Sequence, residues 1–251
     1  MDSLLEINDL TVSFDGFKAV NHLSTSIKTG EIHCFIGPNG AGKTTLLDAI
    51  CGRVKPAAGR IIFKDGSDVT KLAEHKIVEL GIGRKFQVPS VFNGITIYEN
   101  MELAADKHRT IFATLFSRLG QEQVDRIERI LDTIGLFEKR HQMPETLSHG
   151  EKQWLEIGML LVQQPEIMLL DEPVAGMGRQ ETEKTGELLK EISQECSLVI
   201  VEHDMAFVRE IASTVTVLHE GALLDEGDME EVQKNPKVIE VYLGRGVSNC
   251  A

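Results

Sequence analysis

The chain runs to 251 residues, 42% hydrophobic and 26% charged, the balance of a globular protein with enough Leu, Ile and Val to bury a core and not of a disordered or fibrous one. Its 39 Asp and Glu against 26 Lys and Arg leave a formal charge of −13, which disfavours nucleic acid as a partner, since that binding draws its affinity from Lys and Arg on phosphates. Met1–Asp9 lacks the basic and apolar stretches of a secretory signal, and no run approaches the roughly eighteen apolar residues of a membrane span.

The first third reads as strands. Leu10, Val12 and Phe14 alternate with polar residues up to an Asp15-Gly16 turn, and Ile27 and then Ile32, Cys34 and Ile36 flank a second turn at Thr29-Gly30. This pattern predicts antiparallel sheet feeding a buried strand, Ile32–Ile36. Arg60–Lys64 followed by Asp65-Gly66 predicts another hairpin, and Glu74–Leu80 a short helix ending at Gly81. From Ile97 to Gln163 the period is helical, clearest at Val124, Ile127, Leu131 and Ile134. After Gln164-Pro165 a β/α rhythm returns: strand Ile167–Leu170, helix Glu181–Ile192, strand Leu198–Val201, helix Met205–Ile211. A hairpin, Thr214–Leu218 with Ala222–Leu224, and a helix Val232–Leu243 broken at Pro236 close the chain. Such alternation predicts a parallel sheet covered by helices, with the helical region inserted into one α/β core.

Gly37-Pro38-Asn39-Gly40-Ala41-Gly42-Lys43-Thr44 fits GxxxxGK[ST] between the strand Ile32–Ile36 and a helix opening at Thr44, the context in which glycine-rich backbone cradles phosphates. Lys43 is expected to reach the β- and γ-phosphates and the Thr44 hydroxyl to ligate Mg²⁺. Asp171 and Glu172 end the run Ile167–Leu170, where a parallel strand delivers side chains to the ligand crevice. There Asp171 holds Mg²⁺, directly or through water, and Glu172 serves as general base; taken alone, the two carboxylates read equally well as caps of the following loop. Ser148 and Glu151 form a capping box before a helix through Trp154, Leu155 and Leu161, and a Ser-capped helix start is itself an anion site. The cysteines Cys34, Cys51, Cys196 and Cys250 show no metal-ligand spacing and fit a reduced compartment, with Cys51 read as a packing residue.

The phosphate loop, Gln87, Leu147–Gln153, Ile167–Glu172 and His203, in that order, resemble the ATP-binding cassette ATPases along almost the whole chain. The resemblance implies an α/β P-loop NTPase of the cassette type: a mixed sheet core with an N-terminal antiparallel β subdomain and an inserted α-helical subdomain. Residues 1–251 are then one domain, with 1–90 and 165–251 forming the α/β core and 91–164 the helical part. It implies ATP and Mg²⁺ bound by Phe14, which stacks on adenine, by the loop Gly37, Pro38, Asn39, Gly40, Ala41, Gly42, Lys43, Thr44 and Thr45, and by Gln87 and Asp171 near the metal. Ser148 and Gly150 meet the nucleotide of a partner cassette, and Glu172, His203 and Lys43 carry the chemistry. The implied partners are membrane permease subunits, a second ATPase subunit in a homo- or heterodimer and, indirectly, a solute-binding protein, at the cytoplasmic face of a bacterial membrane. Where the family's signature usually reads LSGGQ, this chain has His149 and Glu151, and Gly178 replaces a common aspartate, departures that point to an asymmetric ATPase pair. Within the family Ser148–Met159 and Glu172–Met177 look most like the subunit of urea importers, and Val238–Gly244 suits the group that also imports branched-chain amino acids. Urea import is therefore the expectation, with branched-chain amino-acid import as the alternative and soluble iron–sulfur assembly as a less favoured one.

Overall fold

The computed structural model describes residues 3–85, 91–105 and 120–243. β1 (Ser3–Phe14) and β2 (Phe17–Lys28) form a hairpin about Asp15-Gly16 that places Phe14 opposite Phe17. After the Thr29-Gly30 turn the chain leaves that sheet for β3 (Ile32–Ile36), whose five residues are all buried. The phosphate loop follows, and then a helix, Lys43–Ile50, one residue earlier than expected. β4 (Ala58–Phe63) pairs antiparallel with β1, giving a three-stranded sheet in the order β2-β1-β4. The hairpin expected at Asp65-Gly66 is reduced to a tight turn with a single bridge, Ile62 to Asp68. Asp68 diverts the chain: its carboxylate accepts the Thr70 N–H at 3.2 Å and opens the 3₁₀ turn Val69–Lys71. The helix Glu74–Glu79 matches its expectation.

β5 (Ile82–Lys85) was not foreseen, because Ile-Gly-Arg-Lys carries no apolar alternation. It edges a second sheet with β6 (Ile167–Asp171), β7 (Ser197–Val201), β8 (Thr214–His219) and β9 (Ala222–Gly227), in the order β5-β6-β7-β3-β8-β9. β3 runs parallel to β7 and β8, and β6 parallel to β7, while β8 and β9 form the expected antiparallel hairpin. Parallel strands end on one edge, so the loops after β3, β6 and β7 emerge together. Buried Leu46, Leu47 and Ile50 anchor the helix after the phosphate loop in one apolar cluster with Leu5, Leu23, Phe35, Phe63 and Leu169. The helix Met205–Ile211 begins and ends where expected, Arg179–Ile192 starts two residues early, and the C-terminal helix is split by Asn235-Pro236 into Met229–Lys234 and Pro236–Leu243.

The chain divides into two compact units, Met1–Arg84 with Glu166–Glu172 and Leu189–Ala251, and Lys85–Pro165 with Pro173–Leu188. The second contains the helices Ile97–Ala105, Gln121–Thr133 and His149–Leu161. Ile127, Leu131 and Ile134 are buried as their spacing predicts and Val124 half-buried, while inside the unit Lys85 Nζ meets Glu156 Oε2 at 3.3 Å with both side chains 4% exposed.

Candidate functional site

The loop after β3 turns on glycines in the left-handed region, Gly40 at φ 82° and Gly42 at φ 98°. Gly42 is the N-cap of Lys43–Ile50, so the helix begins with backbone N–H groups in place of a capping side chain, an arrangement suited to anions. Lys43, 8% exposed, donates from Nζ to the carbonyls of Gly37 at 2.8 Å and Pro38 at 3.1 Å. Burial lowers its pKa, against the opposing pull of Glu172, Asp171 and Glu202. A pocket of about 480 Å³ opens over this loop, lined among others by Phe14, Phe17, Lys43, Thr44, Thr45 and Glu172. Phe14 and Phe17 are 48% and 67% exposed, a cost in apolar surface that a stacked ligand would recover. Phe17 was not singled out from the sequence, where it reads as the residue after a turn; its exposure and its pairing opposite Phe14 reveal it.

Asn39, Gly40 and Gly42 also line the pocket, whereas Gly37, Pro38 and Ala41 shape the loop without being part of that lining. Asp171, at the end of β6, lies behind it with its side chain 1% exposed. Both carboxylate oxygens are buried and neither accepts a hydrogen bond. Burial raises the Asp171 pKa, countered in part by the nearby Thr44 side chain and by Arg84. A buried carboxylate with its lone pairs open, beside a hydroxyl, is a donor set that fits Mg²⁺, a hard cation that takes one or two protein oxygens and completes its shell with phosphates and water. Among the described residues no group of three or more His, Cys, Asp or Glu could hold a metal unaided, so a bound cation here depends on the nucleotide as well.

Glu172 follows with φ 49°, a strained value for a side-chain-bearing residue, and its N–H is held by the Val201 carbonyl at 2.9 Å. Its side chain, 36% exposed, presents Oε1 3.5 Å from Nδ1 of His203, which is 62% exposed. Glu202, fully buried, accepts the His203 and Asp204 N–H groups at 2.9 Å and 3.3 Å and so fixes the backbone that aims His203. The first unit thus gathers Phe14, Lys43, Thr44, Thr45 and Glu172 around one pocket with His203 beside Glu172, and Glu202 is a participant no local pattern announced. Gln87 lies outside the described residues.

In the second unit the capping box is present: Ser148 Oγ accepts the Glu151 N–H at 3.2 Å and Glu151 Oε2 accepts the Ser148 N–H at 3.0 Å. Ser148 Oγ also donates to Glu181 Oε1 at 3.0 Å, and Glu181 Oε2 accepts the Gly178 N–H at 3.2 Å. An added Cβ at Gly150 would sit 2.8 Å from the Glu181 carboxyl, so a side chain there would push that carboxylate aside. The helix start that carries Ser148 and Gly150 therefore already faces a carboxylate, the kind of group its N–H array attracts. Glu181, like Glu202, drew no attention in the sequence.

The family model for ABC transporters matches residues 20–175, and one for the branched-chain amino acid ATP-binding cassette transporter matches residues 226–248. The high-affinity branched-chain amino acid transport ATP-binding protein LivG of Escherichia coli is 36% identical, with 96% of this chain and 98% of the relative covered. The protein BraF of Pseudomonas aeruginosa, of the same description, is 34% identical over 96% of this chain and 98% of its own. Among solved structures, the ADP conformation of an ATP-binding cassette from an ABC transporter superposes with a TM-score of 0.86 at 27% identity, covering 97% of this chain and all of that one. A dimeric bacterial cassette gives 0.76 at 25% identity over 90% of this chain and 99% of its own. No helix among the described residues is long and apolar enough to cross a membrane. The chain belongs to the ABC transporter family, as its ATP-hydrolysing, nucleotide-binding subunit.

Proposed function

We propose that this chain powers an importer of branched-chain amino acids from the cytoplasmic face of a bacterial membrane. The observation that carries this reading is the match of residues 226–248 to the family model of that transporter group, a segment apart from the shared phosphate-binding motifs, seconded by relatives described by the same cargo. Urea import, the first expectation, draws no support from these relatives, which favour the alternative. No residue described above recognises a solute; the cargo is chosen by membrane and binding proteins outside this chain.

In this reading the whole chain acts as one cassette, with 1–90 and 165–251 as catalytic core and 91–164 as the helical part. Phe14 stacks on adenine, joined by the loop Gly37–Thr45, whose N–H groups and Lys43 hold the phosphates. Asp171 and Thr44, with Gln87, hold Mg²⁺, which when bound neutralises charge on the phosphate oxygens. Glu172 takes the proton of the attacking water, and His203, 3.5 Å away, holds that carboxylate and the γ-phosphate in register. Ser148 and Gly150 of the paired cassette close the other side of the nucleotide, and separation after hydrolysis is passed to the permeases.

The test is ATP turnover by the chain assembled with its permeases and second ATPase, with the solute-binding protein and either leucine or urea added. Stimulation by leucine alone is the expected result. Stimulation by urea alone would keep the motor and overturn the cargo, and failure to assemble with any membrane subunit would overturn the transport reading.

A further inference from the structure

Arg84 lies one residue before the end of β5 with its side chain 6% exposed, and such a buried guanidinium must be compensated. Nη1 meets Asp48 Oδ1, on the helix after the phosphate loop, at 2.6 Å, and also contacts Cys51 Sγ at 3.1 Å. Nη2 stands 4.0 Å from Asp171 Oδ2, beyond hydrogen-bond reach. Left to itself, an arginine beside a buried carboxylate closes into a bidentate pair, two parallel N–H···O bonds. Here that pair does not form, and both Asp171 oxygens keep their lone pairs.

The cause lies on the other side of the guanidinium. Asp48, with its side chain 23% exposed, and the Cys51 sulfur pull one edge of the fork toward the phosphate-loop helix. We infer that Asp48 is a positioning residue for the metal: it holds Arg84 off Asp171, so that Asp171 stays oriented by a neighbouring cation but open to bind another. The inference rests on the reading of Asp171 as the magnesium-binding carboxylate. Asp48 touches neither nucleotide nor metal in it; it acts through Arg84. Arg53, half exposed, also lies near Asp48, with Nη1 3.7 Å from Oδ1.

A merely structural Asp48 and a tethering Asp48 differ in what a second substitution does. With Asp48→Asn, the neutral amide holds the guanidinium more weakly than the carboxylate does, and the guanidinium is drawn to Asp171, where it competes with the metal. With Arg84 also replaced, there is nothing left to swing. Mn²⁺, read by electron paramagnetic resonance, serves as the probe in the full-length chain with bound ADP, beside ADP affinity measured in EDTA. Asp48→Asn is expected to weaken Mn²⁺ binding about tenfold, the order for a carboxylate that must first release a charged hydrogen bond, with ADP affinity in EDTA unchanged. Asp48→Asn/Arg84→Met is expected to recover the parent Mn²⁺ affinity, with Arg84→Gln as the substitute if methionine does not fold by circular dichroism. Arg53→Gln is expected to bind Mn²⁺ as the parent does.

An Asp48→Asn variant with parent Mn²⁺ affinity overturns the inference, and so does a double variant no better than the single one. Equal loss of Mn²⁺ and of metal-free ADP binding would make Asp48 structural and also overturn it. If Asp171→Asn bound Mn²⁺ as tightly as the parent, the assignment of Asp171 itself would fall, and the tether with it.

Discussion

Gly40 and Gly42 lie two residues apart with φ values of 82° and 98°, yet they differ in what an added methyl group would meet. A Cβ at Gly40 finds nothing within 4 Å, so Gly40→Ala costs only left-handed strain, about 1–2 kcal/mol. A Cβ at Gly42 would lie 2.2 Å from the Ala19 carbonyl oxygen and 3.3 Å from its carbon, backbone atoms of β2 that cannot rotate aside. Recovering contact distance requires roughly 1 Å of backbone movement, an overpacking cost of typically about 1–3 kcal/mol on top of the same strain, or about 2–5 kcal/mol in all. That movement also withdraws the N-terminus of Lys43–Ile50 from the phosphate position. Equilibrium denaturant unfolding of the three proteins, with fluorescent-nucleotide titration at each, separates the terms. Gly40→Ala is expected to lose about 1–2 kcal/mol and Gly42→Ala about 2–5 kcal/mol, the latter with nucleotide binding lost as the helix start withdraws. Equal destabilisation by the two substitutions would refute the steric reasoning, leaving dihedral strain as the whole effect.

Lys43→Ala is expected to abolish tight nucleotide binding, whereas Glu172→Gln keeps ATP bound, lowers turnover by about 10²–10⁴-fold as for loss of a general base, and accumulates the closed pair. Size-exclusion chromatography and single-turnover hydrolysis would check this, and parent-rate hydrolysis by Glu172→Gln would remove the base from Glu172. Glu156→Ala takes away the carboxylate 3.3 Å from buried Lys85 and is expected to cost about 3–5 kcal/mol, measured as a shift in denaturant midpoint. Glu151 resists a burial effect that pushes its pKa up, and Lys139, with the Ser148 N–H, holds it below its ordinary 4.5. A depressed folded value means stability that is present above pH 4.5 and lost as the pH falls through the folded value, so the melting temperatures of the parent and Glu151→Gln should converge in acid and separate near neutrality. A constant difference across that window would contradict the assignment.

The phosphate loop was legible because its glycines, lysine and threonine fall within eight residues between a mostly apolar strand and a helix. Asp171 and Glu172 were legible for a similar reason: the run that precedes them can only be a buried strand. Local pattern fails where the partners are distant. Asp48 reads as one polar position on a short helix, and Arg84 as a charge in a strand without alternation; only the sheet order that seats β5 beside β6 makes them neighbours across 36 residues of sequence. Glu202 follows the apolar strand Leu198–Val201 much as Asp171 ends its own, but nothing in its local pattern shows that it is fully buried and accepts the next two backbone N–H groups.

The departures from the family's signature form one connected arrangement within the second unit. Glutamate at 151 closes the capping box as glutamine would, but its charge also binds Lys139, whose Nζ lies 2.6 Å from Oε1. Histidine at 149 reaches from the helix start to the Ala175 carbonyl, 3.1 Å from Nε2, a bond that a glycine in that place has no side chain to make. Glycine at 178 contributes no carboxylate, and the Glu181 carboxylate instead lies against both the Gly178 N–H and the Ser148 hydroxyl. The loop that follows Glu172 and the helix after it are therefore fastened to the signature helix inside the second unit, by His149 to Ala175 and by Ser148 to Glu181. A cassette built this way orders its own signature within the second unit, where the Glu181 carboxylate already occupies the Ser148 hydroxyl.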